Sequence, residues 1–330
     1  MNRIISVRGI ILIMGLVFLL LTGGSGGFLQ ARTADTADYE AFLLAFFRVP
    51  EEEMYYAVSR DGLNWEELNQ RRPVLTATKG NQSIRDPHIL RDEDGVFRLV
   101  STNSESWTSV TNKILIWDSR DLINWENERL IEISFTGARN AWAPESIYCS
   151  QKESYLVFWA SAEYPGWDHR MYYAETDDFE KFSEPQIFLD PGYPVIDSTL
   201  VKKEGVYYHF LKDEREDHPD EKSIRWTYSE HGAAGPWAEF NDKPLSEPLI
   251  NHTWVEGPTV FFVPRENKWY MYYDEYTQGR WGLHQSEDIS SGDWEQVPYG
   301  EFDIPHGARH GSVLPLTEKE YQQLIEEFGS

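Results

Sequence analysis

Three acidic residues stand at the head of apolar, strand-like segments. Asp86 precedes Pro87-His88-Ile89-Leu90, Asp197 precedes Ser198-Thr199-Leu200-Val201, and Glu256 precedes Gly257-Pro258-Thr259-Val260. Asp197 follows Asp86 by 111 positions, and Glu256 follows Asp197 by 59. Spacings close to two units and one unit of a common period put the three side chains at one phase of a repeat, so they are expected to converge. Converging carboxylates repel one another and are expensive to bury, so a fold keeps them only beside cations, with shared protons or for chemistry that needs them. Cleavage of a glycosidic bond needs such a group, because one carboxylic acid protonates the leaving oxygen while a second activates water or attacks the anomeric carbon. A third can hold the acid's pKa up by like-charge repulsion and help position the sugar. A single strand-opening acid most often satisfies backbone donors at a blade edge, but three in phase favour chemistry.

The elements that must position these acids recur along the chain. Tyr55-Tyr56-Ala57-Val58-Ser59-Arg60-Asp61-Gly62-Leu63-Asn64-Trp65 returns as Leu115-Ile116-Trp117-Asp118-Ser119-Arg120-Asp121-Leu122-Ile123-Asn124-Trp125, and three weaker copies end at Phe182, Trp237 and Trp294. The aromatic anchors are 60, 57, 55 and 57 residues apart. Each copy is an alternating strand, a turn rich in Ser, Asp, Gly and Asn, and an aromatic residue opening the next strand. Two further strand candidates lie between copies, for example Pro87 to Leu90 and Val96 to Thr102 around the turn Asp92-Glu93-Asp94-Gly95. Four strands per unit and five units predict an all-β, five-bladed β-propeller with a central channel. A β-sandwich or two small β domains would leave the fivefold repeat unexplained.

Residues 309–316 read as an isolated blade-opening strand, and residues 41–76 as a blade that lacks one. The ring is therefore expected to close by pairing the N- and C-terminal segments, which leaves no free edge at the seam. Thr317 with Glu320 three residues on predicts a short terminal helix over 317–328. Trp65, Trp125, Trp237 and Trp294 sit at the structural phase of the repeat and are assigned to blade packing.

Composition narrows the partners. The 330 residues carry a net charge of −25 with no cluster of Lys and Arg, which argues against a nucleic-acid partner. Arg3 and Arg8 followed by the apolar run from Ile10 to Leu21 and Thr22-Gly23-Gly24 read as an export signal over residues 1–31. The run is short of the about 20 apolar residues a membrane span needs. The expectation is a secreted or periplasmic monomer with no stable membrane association, residues 32–330 forming one catalytic domain. Cys149 is the only cysteine, so no intrachain disulfide can form.

Five motifs in order carry a resemblance: Ile84-Arg85-Asp86-Pro87-His88-Ile89, Asn140-Ala141-Trp142-Ala143-Pro144-Glu145, Val195-Ile196-Asp197-Ser198, Val255-Glu256-Gly257-Pro258 and Arg309-His310-Gly311-Ser312. They resemble glycoside hydrolase family 43, the inverting arabinofuranosidases, xylosidases and arabinanases, over most of the chain after the signal. The resemblance implies that Asp86 is the general base, Glu256 the general acid, and Asp197 the residue that tunes pKa and orients substrate. Retaining fructan hydrolases share the Arg-Asp-Pro, but their Asn-Asp-Pro-Asn-Gly motif is absent from residues 40–60. A carbohydrate-binding propeller without catalysis would need no acid triad.

The expected substrate is a carbohydrate that yields a terminal pentose, α-L-arabinofuranoside first, then xyloside, then galactoside. Trp142, Trp254 and Trp107 are candidates for stacking on sugar faces. His88 and Glu145 lie beside the catalytic phase and are read as pocket-shaping, with Glu145 one residue out of alignment with Asp86. Arg309 is expected to bind sugar hydroxyls or to pair with one of the acids. His310 resembles the family's channel histidine, which contacts a bound cation or its waters; a buried, hydrogen-bonded histidine is the alternative. No cofactor is required, and a structural calcium ion in the central channel is the one metal the resemblance allows, since calcium prefers oxygen ligands. Asp86 opens blade one and Glu256 blade four, so they are expected to face each other across the channel at the about 6.5–9.5 Å that inversion needs.

Overall fold

The computed structural model describes residues 39–216, 222–238 and 248–329. All of them belong to one unit that spans residues 34–330. The export signal expected over residues 1–31 lies outside the described residues.

Five antiparallel sheets follow one another along the chain. The seam sheet joins β1 (Ala41–Phe47), β2 (Met54–Ser59) and β3 (Glu66–Glu67) to the last strand, β19 (Arg309–Leu316), in the order β19-β1-β2-β3. Blade one is β4 (Arg85–Arg91), β5 (Phe97–Thr102), β6 (Lys113–Ser119) and β7 (Glu126–Glu132). Blade two is β8 (Trp142–Cys149), β9 (Ser154–Ser161), β10 (Arg170–Thr176) and β11 (Gln186–Leu189). Blade three is β12 (Val195–Lys203), β13 (Val206–Asp213) and β14 (Ile224–Ser229), three strands among the described residues. Blade four is β15 (Glu256–Val263), β16 (Lys268–Glu275), β17 (Arg280–Ser286) and β18 (Glu295–Gln296). The opening strands β4, β8, β12, β15 and β19 contact one another in that order, and β19 returns to β4. The ring is a five-bladed propeller whose opening strands line the channel. As expected, β19 supplies the opening strand of the seam blade, and its Leu314 pairs with Leu43 of β1.

The repeat motif has a mechanical explanation. In the turn after β2, the Asp61 carboxylate accepts hydrogen bonds from the backbone N–H groups of Leu63 and Asn64, and the Ser59 hydroxyl accepts from Gly62. Ser119 with Asp121 and Thr176 with Asp178 repeat the arrangement. The aromatic residue that follows then enters the space between its own blade and the previous one. Five apolar clusters fill the gaps between blades, and each takes one anchor: Trp65, Trp125, Phe182, Trp237 or Trp294. The indole N–H of Trp125 donates to Tyr56 Oη at 2.9 Å, so the anchor also satisfies its polar edge.

The helix α1 (Glu318–Phe328) starts where expected, and Thr317 and Glu320 form a reciprocal capping box. Its Leu324 is buried against the cluster between the seam blade and blade one.

Candidate active site

Every opening strand carries the same irregularity near its start. The register of the opening strand against its neighbour shifts between Arg85 and His88, Trp142 and Glu145, Ile196 and Thr199, and Glu256 and Thr259, and β19 shifts opposite Ala45 and Phe47. Each shift is a β-bulge, in which one extra residue re-aims the side chains at the channel mouth. The residue after the shift begins has a left-handed backbone: Asp86 (φ 48), Ala143 (φ 43), Asp197 (φ 49) and Gly257 (φ 59). Asp86 and Asp197 therefore occupy equivalent positions, but Glu256 does not. Its equivalents are Arg85, Trp142, Ile196 and Arg309, and the glycine after it takes the bulge. Glu145 is likewise two residues from the position of Asp86, not one, and shares the phase of His88, Thr199, Thr259 and Ser312.

The bulges bring the acids together despite this offset. Asp86, Asp197 and Glu256 line one cavity of about 140 Å³ with Arg85, Trp107 and Trp142. It opens into a cleft of about 790 Å³ whose walls include Trp107, Trp142, Trp167 and His169 on one side and Trp254 and Tyr276 on another. Trp142 stacks on His169 with ring centres 5.1 Å apart, and Trp107 lies 5.5 Å from Trp167. Trp107 is 67% exposed, a cost in water that a flat ligand face would remove.

His310 stands between two of the acids. Its Nδ1 is 3.4 Å from Asp86 Oδ1 and 3.9 Å from Asp197 Oδ2. Burial disfavours the imidazolium, but these two carboxylates more than offset it and raise the His310 pKa to about 9. Asp86 is half-buried, which raises its pKa, yet His310, Arg85 and the Thr102 hydroxyl, which donates to Oδ2 at 2.7 Å, more than offset this and lower it. The Thr102 hydroxyl oxygen in turn accepts from the Ala143 N–H at 2.7 Å, so the bulge of blade two anchors the acid of blade one. Asp197 is 7% exposed, and burial with the neighbouring Glu256 charge pushes it up to about 7 against the pull of His310. The Gly257 N–H donates to its Oδ2 at 3.2 Å.

Glu256 departs from expectation. A charge on Asp197 is expected to raise its pKa, but two cations face it: Lys212 Nζ at 2.9 Å and an Arg309 guanidinium nitrogen at 3.4 Å. Burial raises the Glu256 pKa, and Lys212 and Arg309 more than offset that and hold it below the usual carboxylate value in the free site. Arg309 is thereby assigned to the acids: its Nε also donates to Asp274 Oδ2 at 2.6 Å.

His88 and Glu145 do not reach the cleft. Glu145 is 5% exposed, and burial pushes its carboxyl up to about 8. His88 Nε2 lies 3.7 Å from it, and His88 Nδ1 accepts from the Ser146 N–H at 3.3 Å. His88 opens instead on a cavity further along the channel with Tyr39, Thr199 and Ser312. Neither residue lines the cavity around the acids or the aromatic cleft. Among the described residues no group of three or more His, Cys, Asp and Glu is placed to hold a metal ion.

Sequence reasoning missed Thr102, Lys212 and Asp274. They are cross-strand partners of Arg85, Ile196 and Glu256, at the end of the second strand of each blade. A polar residue recurring at that phase was the available signal. Trp167, His169 and Tyr276 come from loops, where no repeat marks them.

Comparison with known proteins agrees with this geometry. The glycosyl hydrolase 43-related family, described as a probable glycosyl hydrolase domain, matches residues 37–322. An α-L-arabinofuranosidase of Bifidobacterium longum subsp. longum is 29% identical over an alignment of 185 residues that covers 47% of this chain and 17% of that protein. The matched segment is thus less than a fifth of the relative's length. A Cellvibrio cellulosa α-L-arabinanase complexed with arabinohexaose has a TM-score of 0.57 at 13% identity, over 82% of this chain and 95% of its own. An α-L-arabinofuranosidase from Lactobacillus brevis has a TM-score of 0.51 at 18% identity, over 68% and 74%. An exo-β-1,3-galactanase from Phanerochaete chrysosporium reaches 0.57 at 11%, over 78% and 60%. At these identities the structural likeness is one of fold. The family match covers nearly the whole described region, and on that ground the chain belongs to the glycosyl hydrolase 43-related family.

Proposed function

We propose that this protein is a glycoside hydrolase that releases terminal α-L-arabinofuranosyl residues from oligo- or polysaccharide by a single inverting displacement. The observation that carries the reading is the convergence of Asp86, Asp197 and Glu256 on one cavity edged by Trp107 and Trp142. In this reading Asp86, held ionised beside His310, takes a proton from water as the water oxygen bonds to the anomeric carbon. The glycosidic C–O bond breaks, and Glu256 gives its proton to the departing oxygen. Asp197, next to both His310 and the Gly257 bulge, holds the sugar and tunes the charge of the site.

Two features support terminal cleavage of a pentoside. The cavity around the acids is small beside the aromatic cleft it opens into, so one sugar enters and the rest of the chain lies against tryptophan faces. The sequence relative from Bifidobacterium longum is an α-L-arabinofuranosidase. Export to the cell exterior or periplasm fits the polymeric substrate and rests on the N-terminal sequence alone.

A panel of 4-nitrophenyl glycosides tests this. The α-L-arabinofuranoside should be hydrolysed fastest. A faster β-xyloside or galactoside would move the substrate within the family. Cleavage of arabino-oligosaccharides at internal bonds with no aryl glycoside hydrolysed would overturn terminal action.

A further inference from the structure

Lys212 is next to last in the second strand of blade three, opposite Ile196, and its side chain is 3% exposed. Its ammonium is shared: Glu256 Oε2 lies at 2.9 Å and Glu214 Oε1 at 2.6 Å, with the Tyr276 ring centre 4.6 Å away. The other Glu214 oxygen is held by Lys222, which also reaches Glu216 at 3.3 Å. Alternating charges thus run along the cleft wall from Glu256 through Lys212, Glu214 and Lys222 to Glu216. A buried ammonium needs a carboxylate partner to offset its desolvation, but here it has two, and only one of them is an acid of the catalytic cavity.

We infer that Lys212 is a positioning residue that governs when Glu256 can carry a proton, by dividing its ammonium between Glu256 and Glu214. The inference rests on the reading of Glu256 as general acid. With Lys212 on Glu256, the acid is held as a carboxylate and one of its oxygens is occupied. With Lys212 drawn to Glu214, that oxygen is free for a proton and for the glycosidic oxygen.

The other groups facing Glu256 do not duplicate this role. Arg309 and His310 come from β19, Asp197 from β12, Asp274 from β16 and Tyr276 from the residue that follows it. Arg309 is anchored on Asp274 at 2.6 Å and reaches Glu256 at only 3.4 Å. His310 is committed to Asp86 and Asp197. The partners of Arg309 and His310 thus stay at the channel mouth, whereas the second partner of Lys212, Glu214, leads away from it along the cleft wall.

The test is the pH dependence of kcat/KM on the fastest nitrophenyl glycoside, which reports the free enzyme's acid and base. Lys212→Met removes the cation from Glu256, so the alkaline limb should move up by about 1–3 pH units, the usual effect of one close opposite charge. Glu214→Gln leaves Lys212 with Glu256 as its one carboxylate partner, so the limb should move down. Lys212→Arg should return the profile toward wild type. Unmoved limbs, or limbs that move in the same direction in Lys212→Met and Glu214→Gln, would overturn the inference. If Lys212→Met does not fold by circular dichroism, the direction of the Glu214→Gln shift decides. Glu256→Gln measured alongside separates the two claims. If it keeps wild-type turnover, the acid assignment itself fails; if it is inactive while the limbs stay put, only the role of Lys212 fails.

Discussion

At the residue scale, the site divides its acids by what stands next to each carboxyl. Asp86 and Asp197 have the same bulged backbone, yet Asp86 is lowered and Asp197 is pushed to about 7. Both feel His310, but Asp86 is nearer to it and also has Arg85 and the Thr102 hydroxyl, while Asp197 faces the Glu256 charge. Replacing Asp86 with Asn or Glu256 with Gln should leave the fold intact and lower turnover by about 10²–10⁴-fold, the usual worth of one proton-transfer group. Wild-type kcat in either variant would contradict the assignment. The same shifts set a stability profile. Asp197, Glu145 and His310 all have raised values in the fold, about 7, 8 and 9 against ordinary values of 3.8, 4.5 and 6.5. A group with a raised folded pKa contributes stability that is present below its unfolded value and lost as pH rises through the folded one. The three therefore weaken the fold progressively between about pH 4 and pH 9. Asp86 and Glu256 are lowered and act in the opposite sense, their contribution being lost as pH falls below the ordinary carboxylate range. Thermal unfolding should thus give a higher Tm near pH 5.5 than at pH 9, and the reverse order would show that these buried groups are not charged as described.

At the element scale, the β-bulge does the positioning. It admits a left-handed residue at the mouth of the channel, and at blade four that residue is Gly257. A Cβ there would lie 2.4 Å from His310 Cγ, at a φ of +59 that side chains rarely adopt. Gly257→Ala should therefore displace His310 from Asp86 and Asp197 and lower kcat/KM by about 10²-fold, the cost of a misplacement near 1 Å. Circular dichroism should still report a folded ring. Unchanged kcat/KM would mean that the imidazole position does not matter. The bulge also explains what was and was not legible in the sequence. The anchors Trp65, Trp125, Trp237 and Trp294 were legible because inter-blade packing needs one aromatic per period, and that period survives loop variation. The three acids were legible because each lies within the first three residues of an opening strand. Glu256 was misaligned by one position because the repeat length varies between 55 and 60 residues, so a near-constant period cannot fix a single position. Lys212 and Asp274 stayed hidden because their importance comes from cross-strand pairing to Ile196 and Glu256, which no linear spacing displays. The cleft tryptophan Trp167 sits in a loop, whose shape only the fold supplies.

At the scale of the whole molecule, the ring sets which residues can meet. Five blades closed by β19 put Asp86 on blade one and Glu256 on blade four, with the seam blade and its Arg309 and His310 between them on one side. No two blades in a five-membered ring are further apart, so the proposed base and acid would flank a sugar from opposite sides. The closure that holds this spacing is reinforced outside the sheet: Arg60 pairs with Glu318 at 2.7 Å and Arg91 with Glu320 at 2.7 Å, tying α1 to the seam blade and to blade one. The net charge of −25 suits a partner without phosphate, and a neutral sugar chain is one. The proposed inversion requires this arrangement, because only a base and an acid on opposite sides of the sugar admit water between them. Proton NMR of the first sugar released from 4-nitrophenyl α-L-arabinofuranoside should show the β-anomer before mutarotation. Initial release of the α-anomer would contradict the single displacement assigned to Asp86 and Glu256.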